Sequence, residues 1–113
     1  MPKSDISGWK SPARWAPLWS FLAGALLFNA VPHFVNGISG DAFPTPFANP
    51  PGSGLSSPEI NVAWALANLA LGYFLARVSV QKYRTLTNVA LFIVGAVLIS
   101  FMLSMAFSEK AVL

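Results

Sequence analysis

The chain has 113 residues, 55% of them hydrophobic and only 10% charged, with a formal net charge of +3. Soluble domains carry about 25% charged residues, so the composition argues against a soluble globule and for a single all-α integral membrane domain over residues 1–113. The absence of cysteine excludes disulfides, thiolate metal sites, iron–sulfur ligation and thiol catalysis.

A short polar arm comes first, with Pro2, Ser4, Ser7, Gly8, Ser11 and Pro12. It reads as a mobile or surface-lying arm. The first apolar run then extends over residues 16–34. A membrane helix rises 1.5 Å per residue and needs about 20 residues to cross the hydrocarbon core. The "AGA" at Ala23–Ala25 lies inside the run rather than after it. It therefore reads as part of a membrane helix and not as a signal-peptide cleavage site. Pro32 is expected to kink this helix and to free the carbonyl near Phe28.

A loop follows over residues 36–58. It contains Gly37, Gly40, Gly52 and Gly54, with Pro44, Pro46, Pro50 and Pro51 before Pro58. It has no Lys or Arg, and from Asn36 to Glu59 the only acids are Asp41 and Glu59. Disorder needs low hydrophobicity and high net charge, and neither is present. The prolines favour extended backbone over "FPTPFANPP", so an ordered Pro/Gly-rich outer loop is expected, with Phe43 and Phe47 either dipped into the outer interface as an anchor or folded over the helix ends as a lid. The loop ends in a helix start. Ser56 with Glu59 matches a capping box, and Ser57 before Pro58 is the other common solution.

The second span covers residues 60–80 and the third 88–107. A soluble bundle is rejected because too few polar residues remain to coat three such helices. Lys3, Lys10 and Arg14 precede the first span, and Arg77, Lys82 and Arg84 surround the turn between the second and third. Positive residues favour the cytoplasmic side. The N-terminus is thus expected in the cytoplasm and the loop and C-terminus outside, across a cell (inner) membrane. Trp9, Trp15 and Trp19 suit the inner aromatic belt and Trp64 the outer one. Because the cations sit at span ends rather than in a patch, nucleic acid is not an expected partner; the lipid bilayer is.

The polar residues within the spans converge. Asn29, His33 and Asn36 share one face of the first helix, at spacings of four and three. Asn61, Ala65, Asn68, Gly72 and Ala76 form a stripe on the second, opposite Leu66, Leu69 and Tyr73. On the third helix Gly95 lies with Asn88 and Phe92, and Ala96, Ser100 and Ser104 form another line. Asn29 is about 6 Å below His33, and Asn68 roughly 10 Å below Asn61. The polar positions therefore gather under the loop. The candidate ligand-binding set is Asn29, His33, Asn61, Trp64 and Asn68, lidded by Phe43 and Phe47. Amides of this kind also serve as interhelical glue, at ~0.6 kcal/mol per bond.

No cofactor or metal is implied. A single His permits bis-histidine haem only across a dimer, and His33 with Asp41 is too few ligands for zinc. No nucleophile motif surrounds the loop serines, so no catalytic residue is assigned and an enzyme ranks third among the readings. No acidic residue lies within a span to carry a proton. The small-residue stripes favour association. The leading expectation is a non-enzymatic accessory subunit or self-associating helical bundle, in a homo-oligomer or larger membrane complex. The alternative is a membrane ligand-binding or transport protein that uses the cluster around His33.

Overall fold

The computed structural model describes residues 12–108, and these form three helices: α1 (Pro12–Ile38), α2 (Pro58–Val78) and α3 (Leu86–Ala106). Each is long and apolar enough to cross a membrane, α3 most of all. The polar arm, with Trp9, Lys3 and Lys10, and the last five residues lie outside the described range.

α1 has 27 residues and runs through both Pro17 and Pro32. It exceeds the expected 16–34 at both ends. The expected bounds follow the apolar run, which ends at Phe34. The helix continues because the polar side chains at this end find partners: His33 meets Asn61, and Asn36 Nδ2 donates to the Pro32 carbonyl at 2.7 Å. Gly40, with φ of +78°, then turns the chain out of the helix in the left-handed region that suits glycine.

The second helix begins by the Ser57–Pro58 solution. Ser57 Oγ accepts the Ile60 N–H at 3.2 Å and Pro58 takes the first turn. Ser56 is used elsewhere, in an antiparallel bridge to Phe43. Thr85 caps α3 by accepting the Asn88 N–H at 3.1 Å. Between α2 and α3 the turn is closed by Tyr83 N–H on the Ser79 carbonyl and by Asn88 Nδ2 on the Tyr83 carbonyl.

α1 is the middle element. It packs against both α2 and α3, while α2 and α3 make no close backbone approach to each other. α2 is antiparallel to α1, since Gly72 sits at Leu27 while Val62 sits at Gly37. Its buried stripe is Asn61, Ala65, Asn68, Gly72 and Ala76, a one-face repeat of three and four. Leu66 and Tyr73 face outward, but Leu69 is half-buried against Ala30, Val31, Phe34 and Val35 of α1.

The α1–α3 seam is a reciprocal glycine contact. A Cβ on Gly24 would overlap the Phe92 carbonyl oxygen, and one on Gly95 would overlap the Phe21 carbonyl oxygen. Backbones this close permit Cα–H···O contacts of about 0.5–1 kcal/mol each. The remaining face of α3, including Ile93, Val97, Phe101, Met102 and Met105, is exposed and apolar. As α1 and α3 run parallel, Arg14 lies at the same end of the bundle as Arg77, Lys82 and Arg84, and the 39–57 loop lies at the other.

Candidate functional site

Asn61 organises the loop end. Fully buried on the first turn of α2, its Nδ2 donates to the carbonyls of Phe43 (2.9 Å), Ser57 (3.1 Å) and Ser56 (3.3 Å). The loop is thereby tied to the helix it precedes. With its amide nitrogen so engaged, Asn61 presents Oδ1 to His33 Nδ1 at 2.8 Å. An amide oxygen only accepts, so Nδ1 carries the proton and donates. In the neutral ring Nε2 is then the acceptor. Among the described residues it has no protein partner.

His33 is held by rings as well. Phe43, Trp64 and Phe107 meet it edge-on, with centroids at 5.4, 6.5 and 6.1 Å. Phe43 and Phe107 touch each other at 4.7 Å. One turn deeper, Asn29 Nδ2 donates to Asn68 Oδ1 at 3.0 Å, and Asn68 Nδ2 donates to the Trp64 carbonyl at 2.8 Å. Both amides act across or within the α1–α2 seam, as glue does.

The loop curls where extended backbone was expected. The Thr45 carbonyl receives the N–H groups of Ala48 (3.1 Å) and Gly52 (2.8 Å), and Thr45 Oγ1 receives that of Phe47 and pairs with Ser56 Oγ. Each proline restricts its own φ and its predecessor, but the N–H groups of Phe47, Ala48 and Gly52 converge on one buried threonine, and those of Ser53 and Gly54 on the Pro50 carbonyl. That convergence bends the chain back on itself. Pro44, Thr45 and Ala48 are buried as a result.

Between α2 and α3, over the floor supplied by α1, this roof leaves a pocket of about 240 Å³. Asn29 and His33 of α1, Trp64 of α2, Leu103, Ala106 and Phe107 at the end of α3, and Pro44, Thr45, Pro46 and Gly52 of the loop line it. Among the described residues no Lys, Arg, Asp or Glu does. The Trp64 indole N–H is buried without a partner.

Of the seven expected residues, Asn29, His33 and Trp64 line the pocket. Phe43 and Asn61 stand behind His33 and hold it, and Asn68 anchors Asn29 from below. Phe47 is not over the pocket. It is 66% exposed and rests against the outer side of Trp64, centroid to centroid at 5.0 Å. Sequence reasoning missed Thr45, Leu103 and Phe107. The topology placed the end of α3 beside the loop, but nothing in an all-apolar helix said which of its faces turns inward. Among the described residues no three His, Cys, Asp or Glu side chains come together as a metal site.

No protein-family model, curated protein or solved structure matches this chain.

Proposed function

We propose that the protein crosses the cell's inner membrane three times, with its N-terminus in the cytoplasm, and binds a small neutral ligand in the pocket under the loop. The observation that carries this reading is His33. Its ring is fixed in one tautomer by Asn61, its second nitrogen has no partner among the described residues, and the residue lines a pocket to which no charged described residue contributes. Buried polar groups are ordinarily satisfied. An acceptor held rigidly beside a cavity suits a ligand with a hydrogen-bond donor.

The position of the cations supports the orientation, because Arg14, Arg77, Lys82 and Arg84 share the end opposite the loop. Single cysteines at Ser4, Ser53 and Ser108 test it with an impermeant thiol reagent on intact cells. Labelling is expected at Ser53 and Ser108 and not at Ser4; the reverse pattern overturns the orientation.

The small-residue stripes that favoured an accessory subunit or self-associating bundle are occupied within the chain itself. Gly72 packs on Leu27, and Gly24 and Gly95 form the α1–α3 seam. Native mass spectrometry from mild detergent distinguishes the two readings. A stoichiometric small-molecule adduct is expected on the parent protein and is lost in Ala106→Phe, where an exposed pocket-lining position is filled. A bound protein partner with no adduct returns the function to an accessory subunit.

A further inference from the structure

The ligand's chemistry can be taken further from what adjoins the pocket. Leu103 and Phe107 line it on one side, and the same two residues line a larger cleft of about 530 Å³ between α1 and α3. Phe28 and Ser100 of that cleft in turn border a hollow of about 260 Å³ that reaches Phe92. From Phe107 to Phe92 the helix rises about 22 Å, a large part of the ~30 Å hydrocarbon core. A small chamber with a few polar side chains, Asn29, His33 and Thr45, thus adjoins a long apolar groove open to the side of the bundle.

Resting on the pocket reading above, we propose that the ligand is a prenylquinol-type amphiphile. Its neutral dihydroxy aromatic ring sits in the capped pocket, and its apolar chain lies along the α1–α3 groove past Leu103 and Phe107. The size fits a ring. A cavity of about 150 Å³ accepts benzene, and the pocket offers about 240 Å³, enough for a six-membered ring with small substituents. The walls are flat, made of indole, phenyl and pyrrolidine rings that pack on a planar head. His33 Nε2 accepts, so it favours a hydroxyl over a carbonyl oxygen. A phosphate head is disfavoured because the basic residues of the described chain are at the opposite end of the bundle.

Calorimetry on the full chain in nanodiscs of zwitterionic phospholipid tests the proposal. The probes are a decyl-chain dimethoxybenzoquinol kept reduced, its oxidised quinone, the same quinol without the chain, and dodecanol. The chained quinol is expected to bind at least tenfold tighter than either the chainless ring or the quinone, and dodecanol is expected not to saturate. Ser100→Phe, at an exposed position bordering both hollows, should abolish the gain from the chain and leave the chainless ring unaffected. His33→Ala should weaken both rings at least tenfold. Because that variant also unties Asn61, Ser100→Phe is the deciding one. A chainless ring that binds as well as the chained quinol, a Ser100→Phe protein that keeps the full gain, or dodecanol binding equal to the quinol overturns the amphiphile and leaves the pocket reading in place. No binding of either ring, together with no adduct on the parent protein by mass spectrometry, removes both.

Discussion

Gly95→Leu is expected to destabilise the helical bundle by about 3 kcal/mol, at the upper end of what overpacking costs. The reason is what the new side chain meets. The first carbon added at Gly95 overlaps the Phe21 carbonyl oxygen, and Gly24 stands in the same relation to Phe92 across the seam. A flexible side chain can rotate away from an intruding methyl group; a helix backbone can yield only by moving the whole helix. Helices in a lipid environment gain no hydrophobic free energy from meeting each other and depend on close van der Waals packing. Separating α1 from α3 therefore removes most of what holds α3, whose backbone makes no close approach to α2. Gly72→Leu should act in the same direction with a smaller effect, because its nearest obstacle is the Leu27 side chain. Leu98→Ala, on the exposed face of α3, is expected to change stability little. Equilibrium unfolding in mixed detergent micelles measures all three, and a Gly95→Leu protein as stable as Leu98→Ala would show that the seam is elsewhere.

The second large effect is expected at Asn61. Asn61→Leu keeps the branching and the number of heavy atoms and removes one amide that touches both the histidine and the loop. The His33 Nδ1 proton is then left buried without an acceptor, a cost of about 1–3 kcal/mol, and the carbonyls of Phe43, Ser56 and Ser57 each lose a donor. All three carbonyls also accept a backbone N–H, that of Ser56, Phe43 and Asn61 respectively, so the loss there is partial. Hydrogen exchange reads the result directly. The Phe43 and Ser56 amides, paired at 3.1 and 2.9 Å, should exchange slowly in the parent protein. In Asn61→Leu they should exchange about thirtyfold faster, the equivalent of about 2 kcal/mol. His33→Ala should accelerate the same two amides by a smaller factor, since it removes one bond and not four. Rapid exchange in the parent, unchanged by either substitution, would make the loop a tether with no coupling to the histidine.

Much of this architecture is legible in the sequence. Three apolar runs of helical length predict three helices, because a membrane-length segment must satisfy its backbone internally. Ser57 before Pro58 predicts the start of α2, since cap chemistry is local to a few residues. The Asn61–Ala76 stripe predicts the buried face of α2, because small and amide residues recur there at the helical period. The gathering of Asn29, His33, Asn61 and Asn68 at one end follows from counting residues along antiparallel helices.

Only the tertiary structure decides the rest. That His33 pairs with Asn61 and Asn29 with Asn68 depends on the rotation and register of α1 against α2, which small-residue stripes permit without setting. That Gly24 and Gly95 meet depends on the rotation of α3, a helix so uniformly apolar that its sequence carries no preferred face. The curl of the loop depends on one buried threonine collecting donors from residues up to seven positions away, a convergence that local proline preferences do not contain. Phe107 closes the pocket only because α3 ends level with His33 across a gap that α2 leaves open. Each of these is a relation between segments distant in the chain, and the physical terms that set it, backbone contact and a shared buried amide, exist only once the helices are packed.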